Sequence, residues 1–271
     1  MISEKIRLLG AGLYNGEIPD ELTLKSIPTA SELDYVGSED FNATMLEKIF
    51  PKAIEEKIDF NKLLEIDYQW ICRCLRFLNY GPYHTVNTIF CNECGESSRG
   101  EYIVDLRTVG CKTIPEGFTN DVKISKDEFL DFKKDIRVSL LTIKEALTMY
   151  EDKLFAGQGG TINRALARLC YQIKHIGNEA TRPVDAKLKI EKEMSPADYV
   201  ILKEKVAEVT DFGLRAAGTV KCPVCGSMEA VYVALVDDRF FRPSVGALKQ
   251  WRADRSAGGA ENAAGSSTKA V

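Results

Sequence analysis

The sequence lacks the motifs that mark common enzyme families, and it has very little histidine. Only two of its 271 residues are histidines, His84 and His175. It contains no Walker-type phosphate loop, no Gly-x-Gly-x-x-Gly after a predicted strand and no Gly-x-Ser-x-Gly. The glycine-rich stretch 157–160 follows a helical pattern and lacks the Lys-Ser/Thr pair of a phosphate loop. We therefore expect no enzymatic activity and no small-molecule substrate.

Long hydrophobic runs and a strong excess of one charge are also missing. No apolar stretch approaches the roughly 18 residues of a membrane span, and the opening residues lack the pattern of a secretory signal. Lys plus Arg number 36 and Asp plus Glu number 40, so the formal net charge is −4. This balance counts against a dedicated nucleic-acid binder, which needs a basic face, although a local patch stays open. We expect a soluble protein without a membrane partner.

Breaks in the hydrophobic pattern divide the chain into segments. Glycines and prolines interrupt residues 1–42, which are predicted to be an irregular N-terminal interface arm. Residues 43–85 are predicted to be a helical segment, because apolar residues recur every three or four positions, most clearly from Asn61 to Tyr80. Residues 253–271 are rich in Ala, Gly and Ser and are predicted to be a flexible low-complexity tail.

Helical patterns also dominate residues 113–215. Ser125 and Glu128 have the spacing of a capping box and precede a long apolar stripe, which predicts a long helix. Thr161 and Ser195 are the predicted caps of two further helices. We expect this region to be a helical insertion within the segments that flank it.

The most specific signal is a short motif, Cys-x-x-Cys-Gly, that occurs twice. Each copy lies in a predicted β-hairpin, one within residues 86–112 and the other within 216–238. Two residues between the cysteines let a tight turn aim both thiolates at one ion, and four sulfurs satisfy tetrahedral zinc. The sequence therefore predicts one structural Zn²⁺ in a split zinc ribbon. Its predicted ligands are Cys91, Cys94, Cys222 and Cys225.

Other interpretations of these cysteine turns stay open. They could be reduced turns that hold no metal, or redox-active pairs, although no thioredoxin-like βαβ pattern follows either one. Cys111 follows the first hairpin closely enough to be a spare ligand. The predicted fold class is α+β and mainly helical, with a split zinc ribbon of two β-hairpins interrupted by the helical insertion.

Two places are candidates for contact with a partner protein. Residues 239–252 are an aromatic C-terminal segment, and aromatic side chains are enriched in binding hot spots. The alternative is that this segment packs the last helix onto the ribbon. The N-terminal arm supplies the second candidate surface. The candidate contact residues are Leu13, Tyr14, Phe240, Phe241 and Trp251.

Features of the first 110 residues occur in an order that points to a family. They are Leu9-Gly10-Ala11-Gly12-Leu13-Tyr14, Asp67-Tyr68, Arg76, Tyr80-Gly81-Pro82-Tyr83, Cys91-x-x-Cys94-Gly95 and Val104-Asp105-Leu106. In this order they resemble the T-even-type bacteriophage base plate proteins. The resemblance implies a structural virion protein of a contractile tail, either a base plate hub component or a protein needed for base plate assembly. It also implies other tail and base plate proteins as partners, and a virion location after synthesis in the host cytoplasm.

Two alternatives to a structural tail subunit also fit these residues. One is a zinc-ribbon module that binds nucleic acid, as in transcription. The other is a tail assembly chaperone that is absent from the mature particle. A basic patch for the first alternative would draw on Arg73, Arg76, Arg99 and Arg107.

Overall fold

The structure, a computed structural model, describes residues 2–28, 31, 38, 40–157, 160–234 and 240–256. These residues fall into two compact units, and the chain passes between the units more than once. The first unit draws on Met1–Ile58, Gln69–Thr113 and Gly213–Val271. The second draws on Asp59–Tyr68 and Ile114–Phe212.

Antiparallel two-stranded sheets form the β-structure of the first unit, within the residues that the structure describes. In the pair formed by Ala217–Lys221 and Met228–Tyr232, side chains alternate between buried and exposed, as expected when successive residues point to opposite faces. The pairs are β1 (Ser3–Arg7) with β2 (Glu21–Lys25), β3 (Tyr83–Phe90) with β4 (Ser97–Asp105), β5 (Cys111–Lys112) with β10 (Gly213–Leu214), and β11 (Ala217–Lys221) with β12 (Met228–Tyr232).

The prediction that residues 1–42 are irregular was wrong. Strands β1 and β2 form a hairpin there, and Leu22 and Leu24 are fully buried on its inner face. The glycines lie in the connection between the strands, where the Asp20 carboxylate accepts the backbone N–H of Gly12 at 2.7 Å. Each strand has only five residues, too few for alternation to stand out beside so many turn residues. This segment therefore contributes to the core of the first unit.

Helices complete the first unit, and one of them carries residues of both units. This is α3 (Glu65–Tyr80). Within the first unit, its residues Ile71, Cys72 and Leu75 are fully buried. The last helix, α8, includes residues 253–256, so the predicted flexible tail does not begin at 253; residues 257–271 lie outside the described residues. The helices are α1 (Phe41–Thr44), α2 (Phe50–Ala53), α3 (Glu65–Tyr80) and α8 (Val245–Ser256), with a π-helical turn at Met45–Ile49.

A fully buried arginine holds together three backbone segments of the first unit. Arg76, on α3, has no exposed surface. Its guanidinium donates to the carbonyl oxygens of Phe240 at 2.7 Å, Gly81 at 2.6 Å and Tyr83 at 2.6 Å. A buried cation is tolerated only when its donors are satisfied. These bonds tie the end of α3 to the start of β3 and to the C-terminal segment.

The second unit combines a four-stranded antiparallel sheet with four helices, among its described residues. The strand order is β6-β7-β8-β9, and the core lies between sheet and helices around Ile136, Val138 and Leu202. The strands are β6 (Val122–Ile124), β7 (Ile136–Val138), β8 (Ile173–Ile176) and β9 (Glu179–Ala180). The helices are α4 (Ile143–Glu151), α5 (Arg164–Gln172), α6 (Pro183–Glu193) and α7 (Pro196–Thr210).

The α+β class is confirmed, but residues 113–215 are not a purely helical insertion. The long helix predicted from Ser125 does not form: Ser125 caps only a single 3-10 turn, and the backbone is extended again at Phe129. The capping box that exists lies further on, at Thr142 and Glu145, where α4 begins. The mainly helical part of the prediction is not confirmed, because the apolar residues after Ser125 contribute to strand β7 as well as to a helix.

A buried aspartate explains why the helix stops so early. Asp198, in the first turn of α7, has no exposed surface. Its carboxylate accepts the backbone N–H groups of Leu130, Asp131 and Phe132 at 2.7–3.1 Å, and the hydroxyl of Ser195 at 3.1 Å. Burial alone would raise the pKa of Asp198, but these four donors outweigh it and lower the pKa. The N–H groups bound in this way are held in a non-helical turn.

Replacing Arg76 should destabilise the first unit. Arg76→Met keeps the apolar stem but leaves three buried carbonyl oxygens without their donors. We expect the free energy of unfolding to fall by about 3 kcal/mol or more, at about 1 kcal/mol or more for each buried acceptor. Urea denaturation followed by tryptophan fluorescence measures the change. Arg99→Met, at an exposed position, is the matched control and should change little; equal losses in both variants would contradict the assignment.

Replacing Asp198 should destabilise the second unit in a pH-dependent way. Asp198→Asn offers only one acceptor oxygen for four donors, so we expect the melting temperature at pH 7 to fall by about 5 °C or more. Because the folded pKa is lowered, the ionised carboxylate contributes its full stability above the unfolded pKa of about 3.9 and loses it as pH falls through the folded pKa. The difference between the two proteins should therefore shrink in acid. Circular dichroism melts at pH 7 and pH 3 test this, with the exposed Asp131→Asn as control.

Candidate metal site

The two Cys-x-x-Cys-Gly motifs form the tips of two hairpins in the first unit. The first tip, knuckle 1 (residues 91–96), joins β3 to β4, and the second, knuckle 2 (residues 222–227), joins β11 to β12. In each, the first cysteine directly follows a strand and the second lies within the turn. Each hairpin therefore presents its two thiols from one short loop.

Both knuckles fold in the same way, hydrogen bond for hydrogen bond. In knuckle 1, the N–H of Cys91 donates to the carbonyl of Glu96 at 2.9 Å, and the N–H of Gly95 donates back to Cys91 at 2.9 Å. In knuckle 2, the corresponding bonds join Cys222 to Ser227 at 2.8 Å and Gly226 to Cys222 at 3.0 Å. The glycines have φ of +72° and +79°, a region that favours glycine. The final Gly of the motif is thus required by the turn itself.

The four sulfur atoms converge on one point. All lie within 4.8 Å of one another. Across the knuckles, Sγ of Cys91 is 3.5 Å from that of Cys225, and Sγ of Cys94 is 3.9 Å from that of Cys222. A tetrahedral ion with metal–sulfur bonds of about 2.3 Å would place its sulfurs about 3.8 Å apart. The set therefore fits one metal ion, and the ligand residues predicted from the sequence lie together.

Close backbone packing brings the two hairpins together. Gly218 on β11 lies so near β4 that an added Cβ would be 2.3 Å from Cγ1 of Val104 and 3.3 Å from Cγ2 of Val233. Only glycine permits this approach. The two knuckles are 128 residues apart in the chain, measured from Cys94 to Cys222. Their meeting therefore depends on strand packing as well as on the sulfur cluster.

A buried carboxylate lies beside the sulfurs. Glu229 on β12 is 4% exposed. The Cys91 thiol, the Ser227 hydroxyl and the Asn92 N–H all donate to this carboxylate, and they lower the pKa of Glu229 to about 2. The cysteine motifs gave no indication of this residue. The sequence feature that could have indicated Glu229 is the alternation of side chains along β12. It places Glu229 at an inward position between exposed Met228 and Ala230.

The thiols differ in their surroundings. Cys91 and Cys222 are buried, whereas Cys94 and Cys225 are exposed. Hydrogen-bond contacts with the hydroxyl group and the backbone of Ser227 lower the pKa of Cys225 to about 6, which favours the thiolate that a metal needs. Elsewhere, burial raises the pKa of both Cys74 and Cys170 to about 12. Thiols of that kind are inert.

Cys111 is not part of the sulfur cluster. This residue, the predicted spare ligand, lies on the short strand β5, paired with Leu214 of β10. The four-sulfur set is complete without it.

The residues predicted to contact partners lie largely inside the first unit. Phe240 and Phe241 are buried, with ring centroids 5.5 Å apart. Trp251 is half-buried with its ring against Gly81, where an added Cβ would come within 2.4 Å of the indole. Tyr14 is buried and Leu13 half-buried. For the aromatic segment, the structure favours the packing alternative, because buried rings offer no surface to a partner.

Comparisons of the chain with family models, with curated proteins and with solved structures give no match in any of the three. Among the described helices, none combines the length and apolar character needed to cross a bilayer. Functional inference therefore depends on the residues and geometry of the chain itself.

Metal binding should depend on the four clustered cysteines. We expect elemental analysis of the purified protein to find about one zinc ion per chain, and Cys94→Ser and Cys225→Ser to lose most of it because three sulfurs cannot close the site. Cys111→Ser should keep its metal. Acid should release the ion, because protonated thiols are not ligands. Well under one ion per wild-type chain would contradict this prediction.

Proposed function

We propose that the chain is a non-catalytic structural protein of a contractile phage tail, a base plate hub component or a protein needed for base plate assembly. One structural Zn²⁺ at the four clustered cysteines stabilises its ribbon. The observation that carries the non-catalytic role is the closed set of four sulfurs. Four thiolates complete a tetrahedron, so no position is left for a water or a substrate.

Several residues behind the family resemblance support this proposal through their roles in the first unit. Arg76 fixes the backbone of the Tyr-Gly-Pro-Tyr segment by bonding to Gly81 and Tyr83. Val104 lies fully buried against Gly218. These residues of the ordered set therefore have structural roles in the core of the first unit.

Exposed apolar side chains on the ribbon also suit a protein covered by neighbouring tail subunits. On β12, Met228 is 64% and Tyr232 75% exposed, and Val224 at the tip of knuckle 2 is 65% exposed. Contiguous exposed apolar patches mark protein–protein interaction sites or ligand-binding grooves. They are better placed than Phe240 and Phe241 to contact another tail protein.

A nucleic-acid-binding role has less support, because three of the four candidate arginines have other contacts. Arg73 stacks 5.0 Å from the Trp70 ring centroid and 4.9 Å from that of Phe77. Arg76 is buried. Arg107 pairs with both carboxylate oxygens of Asp105. A phosphate-binding face needs accessible cations. Three of the four arginines of the predicted basic patch instead make contacts within the chain.

Quantitative mass spectrometry of purified phage particles tests the proposed function. We expect the chain at a few copies per particle, in proportion to the known tail subunits of the same preparation. Tailless heads from the same lysate are the control and should lack it.

The outcomes separate the three functions. A chain abundant in the producing cell but missing from particles would overturn the structural role in favour of the chaperone. Retention of the purified protein on DNA, weakening steeply with salt, together with absence from particles, would favour the nucleic-acid-binding module.

A further inference from the structure

One side chain links knuckle 1 to the strand that follows knuckle 2. Oε1 of Glu229 accepts the Cys91 thiol at 3.1 Å and the Ser227 hydroxyl at 2.8 Å. Oε2 accepts the Asn92 backbone N–H at 3.3 Å and the Asn92 side-chain amide at 3.0 Å. Both carboxylate oxygens thus accept hydrogen bonds. Two of the three partner residues, Cys91 and Asn92, belong to knuckle 1.

The position of Glu229 makes these bonds necessary. It is almost completely buried, opposite Val220 in the β11–β12 pair, where an apolar residue would ordinarily be expected. A buried carboxylate is costly unless donors surround it. Because two of its donor residues, Cys91 and Asn92, come from knuckle 1, the carboxylate is satisfied only when the two hairpins are together.

We propose that Glu229 is a positioning residue that assembles the four-cysteine site before a metal ion arrives. This inference rests on the proposed metal site and deepens it. With the knuckles already joined, a metal ion meets four sulfurs in place and does not have to bring two distant hairpins together. Preorganisation of this kind raises affinity because less ordering remains to be done on binding.

Most of the hydrogen bonds that Glu229 makes between the two hairpins remain when a metal ion binds. Cys91 loses its thiol proton when it becomes a ligand. The carboxylate then keeps the Ser227 hydroxyl and both Asn92 donors. Against this stands repulsion between a carboxylate and nearby thiolates, which would weaken metal binding. The two effects have opposite signs, so one substitution distinguishes them.

The deciding experiment compares the zinc affinity of Glu229→Gln with that of the wild type. Affinity is measured by competition with a chromogenic chelator. Glutamine keeps the size of the side chain but removes one of the two acceptor oxygens. We expect affinity to fall about 10–100-fold, the usual effect of losing a partner of a metal ligand. The matched control is Glu93→Gln, which removes the same charge from an exposed position inside knuckle 1 and should leave affinity nearly unchanged.

A second variant guards against a folding defect. Asn92→Ala weakens the same bridge from the other knuckle, and with Glu229→Gln it completes a double-mutant cycle. Coupled, non-additive losses would support one bridge acting as a unit. Cobalt-substituted protein adds an independent readout, since a displaced Cys91 should alter the intensity of the thiolate-to-cobalt charge-transfer band.

Each outcome is decisive for one of the two hypotheses. Glu229→Gln with unchanged or tighter zinc binding would overturn the positioning role, because repulsion would then dominate. Additive losses in the cycle would overturn it as well. Wild-type protein that binds neither zinc nor cobalt would instead refute the proposed metal site itself.

Discussion

The convergence of two hairpins that are distant in sequence is the constraint on which the first unit depends. Strand packing achieves it at Gly218, where β11 approaches Val104 of β4 more closely than any side chain would allow. The sulfurs and the Glu229 carboxylate then lie at the meeting point. Apolar contact, polar bridging and the sulfur cluster, which fits one metal ion, therefore lie at one place.

The same device, a buried charge satisfied mainly by backbone groups, recurs in both units. Arg76 donates to carbonyl oxygens in the first unit, and Asp198 accepts N–H groups in the second. Each holds a non-helical stretch of backbone against the helix that carries the buried side chain. Backbone groups of irregular segments must find partners when buried. These two side chains supply them, and so they fix the positions of loops that hydrophobic packing alone would leave undetermined.

Local signals in the sequence were sufficient for some features and insufficient for others. Four cysteines in two identical motifs predict one site, because tetrahedral coordination requires four ligands. The helix predicted from Ser125 failed because Asp198, 68 residues beyond Leu130, captures the N–H groups that the helix would have used. Glu229 was missed for a similar reason: its partners on knuckle 1 lie about 137 residues earlier. Propensity and spacing carry no information about such distant partners.

The order of the chain also sets an order of events during synthesis. Knuckle 1 leaves the ribosome with its two thiols unpaired, and 128 residues separate Cys94 from Cys222. At about 5–20 residues per second, the first pair waits roughly 6–26 s for the second. Throughout that interval the strand face that later meets Gly218 and Glu229 is also uncovered. The two hairpins therefore come together late, after the residues of the second unit have been made. Until then, the thiols of knuckle 1 in the nascent chain are accessible to oxidants and to metal ions.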